Sequence, residues 1–253
     1  PETFWGQEQT AETAHLRFVF TTYDAQNVQP LVEQMETVYV KLHQLLGLPL
    51  PTDQKLLLVV KPATNTPWVD STGKQLEVAS PATSSVPDNL SDQTYLAQTL
   101  GGRLITQAVT VLMSKPGETY NYRWRTMQRA VTTWLRADLL QQRAPWYDQA
   151  KTAFRQESEE FLPLKLTDLN TWRAGQPSDR THMLMQSIAA ESFINYTIST
   201  YGQDRLPALL QGFSQDEKWE ELIPHVFGQS VAVFEADWNR YVEQHYGVSG
   251  VNS

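Results

Sequence analysis

Histidine and cysteine, which most often bind zinc and other transition metals, are scarce in this sequence. The chain has no cysteine, which excludes disulfide scaffolds, thiol nucleophiles and cysteine-ligated metal centres. No two of its five histidines lie within seven residues of each other. They are His15, His43, His182, His225 and His245. None has carboxylates nearby at a convincing metal-ligand spacing, so we predict surface or capping roles for them and no metal cofactor.

Motifs for serine nucleophiles and for phosphate binding are also missing. The sequence contains no Gly-x-Ser-x-Gly elbow, no P-loop and no Gly-x-Gly-x-x-Gly. The remaining candidates for acid–base chemistry are carboxylates, of which we single out Glu157, Glu159 and Glu191. A hydrolase that uses such carboxylates without a metal is therefore one hypothesis for this chain.

Four arginines follow one another at spacings of four and seven residues: Arg125, Arg129, Arg136 and Arg143. Residues at these spacings share one face of a helix. Such a stripe could bind a carboxylate or another anion. Charged stripes on helices are usually the solvent-exposed side, however, and we favour that interpretation.

The composition limits the class of protein and of partner. A chain of 253 residues can bury a large core, and no apolar run approaches the roughly 18 residues that a membrane helix needs. The formal charge of −8 argues against nucleic acid as the main partner, because phosphate binding requires a basic surface. The chain begins at Pro1 without a methionine, so we expect any signal peptide or membrane anchor to lie outside it.

Strand patterns are confined to the first third of the chain. Residues 15–22 are rich in β-branched and aromatic side chains and predict a strand, and residues 56–60 predict a second, buried strand. Between them, apolar residues at spacings of three and four predict an amphipathic helix that Asp24 caps and Gly47 ends. Residues 75–79 predict a third strand, at an edge of the sheet.

The rest of the chain is polar or helical in pattern. Residues 1–13 are polar and without periodicity, and predict a frayed leader. After residue 90, apolar periodicity and capping residues predict helices over residues 91–113, 124–143, 183–201, 206–213, 218–227 and 231–246. Between residues 143 and 183 we predict only a short element at residues 164–169.

The order of these elements predicts an α+β fold, with a β-rich lobe over residues 14–88 and a helical lobe over residues 89–247. This order resembles the peptidase domain of the gluzincin metallopeptidases, in particular the compact bacterial domains related to thermolysin and to the zinc aminopeptidases. The resemblance spans roughly residues 15–246 and implies a single zincin-like domain over residues 1–253. Its most specific segments are residues 191–196, 201–202, 209–210, 227–230 and 234–238.

The long helix of such peptidases carries a segment of the form Leu-Ala-His-Glu-Leu-Ala-His. The two histidines lie one helical turn apart and share a zinc ion, and the glutamate acts as general base on the zinc-bound water. The matching segment here, residues 96–104, keeps the leucines and the first alanine. It has Gln98 and Gly102 at the histidine positions and Thr99 at the glutamate position.

The third zinc ligand of the family is a glutamate on the next helix, within a Trp-Leu-x-Glu-Gly pattern. Residues 134–138 match this pattern and place Ala137 at the ligand position. Asp138 comes one residue later, which on a helix with about 3.6 residues per turn rotates it about 100° away. An amide, a glycine and an alanine cannot hold zinc against water. The resemblance therefore implies a degenerate site without metal ligands or catalytic residues.

The same register implies which side chains surround the vacated zinc site. It places Arg103 and Arg136 beside that site, where either could line a cleft or pair with Asp138. It also places Glu191 on a helix near the site. Gly101 and Gly102 stand in mid-helix, where each glycine costs about 1 kcal/mol relative to alanine. Such a pair indicates close packing, a local kink or a cleft.

These patterns predict a non-catalytic, peptidase-like module that binds a ligand, senses one or has a structural role. We expect it to be part of a larger exported or membrane-anchored protein of the bacterial cell envelope, with a peptide or protein as partner and with no cofactor. Membrane contact would come only from segments outside this chain, and the oligomeric state is not predicted. A ligand could pair with the edge strand at residues 75–79 as an added strand.

Two alternatives stay open. The first is a hydrolase with a relocated, metal-independent site, for which Glu191 is the nearest candidate. A perturbed pKa of its carboxyl group would support this alternative, and a fully solvated carboxylate would count against it. The second is a purely structural spacer, in which no ligand binds.

Overall fold

The computed structural model describes residues 2–62, 74–115, 123–170 and 180–247. The chain is α+β, with a sheet near its N-terminus followed by a mostly helical region, which confirms the fold class predicted from the sequence. The chain divides into two compact units. The first comprises Pro1–Ala108 and Asp138–Gln142, and the second comprises Val109–Ala137 and Arg143–Ser253.

The first unit contains the sheet. Within the described residues its strands are β1 (Glu8–Glu12), β2 (Leu16–Thr21), β3 (Leu56–Lys61) and β4 (Gln75–Ala79), in that spatial order. The pair β1–β2 is antiparallel, whereas β2, β3 and β4 are parallel. Alternate side chains of a strand face opposite sides of a sheet, and here Phe18, Leu58 and Leu76 are among those that face the core. The three strands predicted from the sequence are confirmed, and β4 is an edge strand as predicted.

The prediction of a frayed leader was wrong. Residues Glu2–Trp5 form a short helix, α1, and the residues that follow it form β1. The residues of β1 alternate between exposed and half-buried, and none is fully buried. An edge strand with so little buried surface needs no apolar alternation, and for this reason β1 has no strand pattern that could be recognised in the sequence.

The connection from β2 to β3 is helical, as predicted, but it is not one continuous helix. Helix α2 (Ala25–Val28) is separated from helix α3 (Val32–Leu45) by a 3₁₀ turn that contains Pro30. Proline lacks a backbone N–H and interrupts the α-helical hydrogen bonds. The predicted capping role of Asp24 was also wrong, because its side chain makes no capping hydrogen bond and is buried.

The helices that follow are α4 (Asp92–Met113), α5 (Arg125–Leu140), α6 (Tyr147–Phe161), α7 (Arg180–Tyr201), α8 (Leu206–Gln215), α9 (Trp219–Phe227) and α10 (Val231–Tyr246). All of them except α6 were predicted, with ends that differ by a few residues. Helix α6 was missed because its apolar residues are sparse. Of its described side chains, Ala150 and Phe154 are the ones that are fully buried.

Aromatic side chains fill the core of the second unit. Trp124 and Trp219 meet edge to face with their ring centroids 4.7 Å apart, and Phe193 meets Trp238 in the same way at 5.9 Å. The indole N–H of Trp238 donates a hydrogen bond to the Ser192 hydroxyl at 3.1 Å, in a fully buried position. This pairing satisfies a polar group that would otherwise oppose burial.

Candidate functional site

The positions that the gluzincin register assigns to zinc chemistry on the long helix all lie on α4, within the first unit. Gly102 is buried, whereas Gln98, Thr99 and Arg103 are half-buried. The Thr99 hydroxyl donates a hydrogen bond to the backbone carbonyl of Tyr95 at 2.8 Å, a contact within its own helix that is common for threonine. The leucines of the same segment, Leu96, Leu100 and Leu104, are buried, as the apolar frame predicts.

The positions predicted on the next helix lie near the C-terminal end of α5. Ala137 and Asp138 are exposed, and Arg136 is half-buried. Arg136 and Ala137 belong to the second unit, whereas Asp138 belongs to the first. The predicted pairing of Asp138 with Arg103 or Arg136 stays a prediction.

The mid-helix glycines of α4 do mark a close contact. A β-carbon built on Gly101 would lie 2.5 Å from Cδ2 of Leu140, which belongs to the same unit. This is closer than non-bonded carbon atoms can approach. Of the interpretations that the sequence left open, close packing is confirmed at Gly101.

The metal-ligating side chains do not assemble in the part of the chain that the structure describes. There, no group of three or more histidine, aspartate or glutamate side chains is arranged to hold a metal ion. His15 hydrogen-bonds through Nδ1 to Glu36 at 2.5 Å, and His43 is buried, with Nδ1 3.0 Å from the carbonyl oxygen of Pro49. The prediction of a surface or capping role was therefore wrong for His43. The side chains of Glu157, Glu159 and His182 lie outside the described residues.

Glu191 has the most unusual environment of the predicted site residues. It lies in the middle of α7, in the second unit, and is half-buried. Asn195, one turn further on, approaches Glu191 Oε1 with Nδ2 at 3.5 Å and donates a shorter hydrogen bond to the Tyr246 hydroxyl at 2.8 Å. The other carboxyl oxygen, Oε2, is buried and has no hydrogen-bond partner among the described residues.

Burial raises the pKa of the Glu191 carboxyl group to about 7, because an ionised carboxylate is poorly solvated there. Asn195, Tyr147, Lys151 and Arg143 act in the opposite direction and lower that pKa, but they do not outweigh burial. Burial also raises the pKa of the Tyr147 hydroxyl, with a further contribution from the negative charge of Glu191. A carboxyl group with a pKa near 7 can both accept and release a proton at neutral pH, as general acid–base catalysis requires.

Two cations lie around this carboxyl group. The Lys151 ammonium lies 5.3 Å from the centroid of the Tyr246 ring and 6.0 Å from that of Tyr147. The Arg143 guanidinium lies 5.1 Å from the Tyr147 ring centroid, and Arg143 also contacts the exposed Asp148 at 3.6 Å. We call Glu191 with Tyr147, Lys151, Asn195 and Tyr246 the Glu191 centre.

The sequence pointed to Glu191 as a candidate carboxylate but did not predict which side chains lie beside it. The spacing of four between Glu191 and Asn195 places both on one helical face and could have suggested that pair. Tyr147 and Lys151 have the same spacing, but helix α6, which carries them, was not predicted. The contribution of Tyr246 follows only from the packing of α10 against α7.

A second candidate site is the outer edge of β4. Among the described residues of the first unit, β4 is the last strand of the sheet and pairs with β3 on one side. The Lys74 carbonyl accepts a hydrogen bond from Leu57 N–H at 3.0 Å, and Ser80 N–H donates one to the Lys61 carbonyl at 2.8 Å. Because backbone groups alternate in direction along a strand, those of Glu77 point to the opposite side, away from β3.

The chain matches no protein-family model, no curated protein and no solved structure. The gluzincin resemblance therefore stays a prediction from sequence pattern. Along the parts of the chain that the structure describes, no helix combines the length and the apolar character needed to span a bilayer.

Proposed function

We propose that this chain is a non-catalytic, peptidase-like module that binds an extended peptide or protein segment. In this proposal it forms part of a larger exported or membrane-anchored protein of the bacterial cell envelope. The observation that carries the proposal is the position of β4 at the end of the sheet, with the backbone groups of Glu77 directed away from β3. An extended ligand can pair with such an edge as an additional strand.

The described side chains of β4 lie on the faces of the sheet and not along its outer edge. Leu76 and Val78 are buried and anchor the strand on the core. The Glu77 carboxylate forms an ion pair with Lys61 on the neighbouring strand and accepts a hydrogen bond from Gln75 Nε2 at 2.6 Å. These contacts hold the Glu77 side chain over the face of the sheet, so its N–H and C=O at the edge would meet an incoming strand.

The test is to select binders from a library of random peptides displayed on phage, with the purified chain as target. Selected peptides are then measured against two variants, Glu77→Pro and Glu77→Ala. Proline removes the outward N–H without removing a hydrogen bond to β3, and proline is tolerated on edge strands for this reason. We expect Glu77→Pro to weaken binding by about tenfold or more, and Glu77→Ala to change it by less than about threefold.

Two results would contradict the proposal. One is a library selection that enriches no peptide over an unrelated control protein. The other is a set of peptides that bind the proline variant as tightly as the wild type, which would place their site elsewhere. Circular dichroism of both variants verifies that the sheet is retained.

The Glu191 centre supports a second candidate function, a metal-independent hydrolase. Ionised Glu191 would take a proton from a water molecule while the water oxygen attacks a carbonyl carbon. One electron pair of the C=O bond would move to the carbonyl oxygen, next to the Lys151 ammonium, and would return to re-form C=O when the leaving group departs. Protonated Glu191 would then return its proton to the leaving nitrogen or oxygen as the bond from the carbonyl carbon breaks.

Hydrolysis of peptide and ester substrates in the presence of a chelator tests this second candidate. Wild-type activity would rise with pH through about 7, following the ionisation of Glu191. Glu191→Gln would abolish it, and Glu243→Gln, at an exposed position of α10, would leave it unchanged. Equal rates for wild type and Glu191→Gln would remove the Glu191 centre as the catalytic site.

A further inference from the structure

We propose that Glu191 is a proton-controlled latch for helix α6, which packs firmly on α7 and α10 when Glu191 is protonated and loosens when Glu191 is ionised. The latch requires neither catalysis nor peptide binding at β4. It lies entirely within the second unit, and the quantity that changes with its protonation is the local stability of α6.

Helix α6 fully buries two of its described side chains, and its described contacts with α10 are aromatic and polar. Ala150 and Phe154 are its fully buried side chains among those described. The Phe154 ring meets the Tyr246 ring edge to face at 6.2 Å, and Arg155 Nε donates a hydrogen bond to the Tyr246 backbone carbonyl at 2.9 Å. These contacts join the described part of α6 to Tyr246, so a change in charge beside Tyr246 acts directly on the local stability of α6.

The contacts of α6 converge on the residues next to Glu191. Tyr246 of α10 meets Phe154, Arg155 and the Lys151 ammonium, all of which belong to α6. The Tyr246 hydroxyl in turn accepts the hydrogen bond from Asn195 of α7, whose amide nitrogen also approaches Glu191. Ionisation of Glu191 therefore places a negative charge where α6, α7 and α10 contact one another.

The carboxyl group fits this position better when it is neutral. Its Oε2 atom is buried without a hydrogen-bond donor among the described residues, so the ionised form lacks the solvation that a buried charge requires. Protonation removes the charge, which the side chains of Asn195 and Tyr147 stabilise only in part by hydrogen bonding. The pKa of about 7 follows from the same burial.

The other charged and titratable groups around Glu191 do not replace this missing solvation. Helix α6 contributes Tyr147 and Lys151, α10 contributes Tyr246, and the segment before α6 contributes Arg143. The 3₁₀ turn Leu166–Leu169 contacts α7 through the Asp168 backbone carbonyl, which accepts a hydrogen bond from Gln186, more than one turn before Glu191. Neither Lys151 nor Arg143 forms an ion pair with Glu191 in the described part of the chain, although both lower its pKa.

Hydrogen–deuterium exchange read by mass spectrometry tests the latch. The observable is the protection factor of peptides covering residues 147–156, corrected for intrinsic exchange rates, between pH 5 and pH 8. For the wild type we expect protection to fall by at least about tenfold over this range, since one unit of pKa difference corresponds to a tenfold change. For Glu191→Gln, which cannot ionise, we expect no such fall, and Glu243→Gln should behave like the wild type.

A second variant keeps the test decisive if Glu191→Gln folds poorly. Lys151→Met removes the ammonium group of α6 that lowers the pKa of Glu191, and it keeps an unbranched apolar side chain that is one atom shorter. It should leave protection at pH 5 within about twofold of the wild type and lower it further at pH 8. An equal loss of protection in wild type and Glu191→Gln, or a pH-independent effect of Lys151→Met, would overturn the latch. Hydrolytic activity does not enter either readout, so a latch without catalysis and catalysis without a latch can be told apart.

Discussion

Gly101 of α4 lies directly against the Leu140 side chain of α5. A β-carbon at this position would lie 2.5 Å from Leu140 Cδ2 and 2.9 Å from Cδ1. Glycine in mid-helix costs about 1 kcal/mol relative to alanine, and here it allows a leucine to pack on the helix backbone. Gly101 therefore has a packing role in this segment of α4, whose leucines are also buried.

We therefore predict opposite effects of Gly101→Ala in two backgrounds. In the wild type, the clash with Leu140 exceeds the gain in helix propensity, and we expect a loss of about 1 kcal/mol in the free energy of unfolding. In a Leu140→Ala background the clash is absent, and the same change should stabilise by up to about 1 kcal/mol. Urea denaturation of the four proteins in this double-mutant cycle measures the coupling. Additive effects would mean that the two residues do not interact.

Asp24 provides a second prediction, about the sheet. Asp24 and Ser80 are fully buried, and the Ser80 hydroxyl donates a hydrogen bond to Asp24 Oδ1 at 2.6 Å, while Thr21 donates one to Oδ2 at 3.1 Å. Ser80→Ala leaves a buried carboxylate oxygen without that donor, so we expect it to lower the free energy of unfolding by about 2 kcal/mol. The control is Thr37→Ala, which removes an exposed threonine hydroxyl that bonds within its own helix. It should cost less than about 1 kcal/mol, and an equal cost for the two changes would contradict the prediction.

The fold could be predicted wherever one face of an element is buried. The leucines of α4 and the alternation of Leu76 and Val78 in β4 are direct consequences of burial on one side, and both elements were predicted. Strand β1 and helix α6 bury too little apolar surface to leave a period in the sequence. Pro30 could have indicated the break between α2 and α3, but the regular apolar spacing around it obscured that signal.

The candidate site could be predicted only in part, because its members come from separate helices. Glu191 was identified from its place in the gluzincin register, and its raised pKa is what the hydrolase alternative anticipated. The burial that raises this pKa comes from Tyr147 and Tyr246, among others, whose positions depend on how α6 and α10 pack against α7. No local pattern contains that information, since the packing of helices depends on whole faces.

The proposed loss of the zinc site leads to a third prediction, about metal content. We expect protein purified without chelator, loaded with excess zinc and dialysed to retain far less than one zinc ion per chain by elemental analysis. The reason is that Gln98, Gly102 and Ala137 offer no ligand that holds zinc against water. One tightly held zinc ion per chain would show that these positions are wrongly aligned with the ligands of the family. A catalytic interpretation would then be the first to reconsider.

The last prediction concerns the pH dependence of global stability. The pKa of Glu191 is raised from 4.5 to about 7 in the folded chain, so the folded state keeps its proton where the unfolded state has lost it. The stability that this proton contributes is complete below pH 4.5 and is lost as the pH rises towards 7 and above. Relative to Glu191→Gln, the wild type should lose about 1–2 kcal/mol between pH 5 and pH 8, a figure reduced for partial exposure of the side chain.

Urea denaturation of wild type, Glu191→Gln and Glu243→Gln at several pH values measures this loss. The difference between wild type and Glu191→Gln isolates one group, because other carboxylates titrate equally in both proteins. Glu36, for example, has a lowered pKa, since its hydrogen bonds from Thr13 and His15 outweigh burial, and it affects stability at lower pH. Glu243→Gln should run parallel to the wild type. Parallel curves for wild type and Glu191→Gln would instead mean that Glu191 is solvated, which would remove the basis of both the latch and the hydrolase alternative.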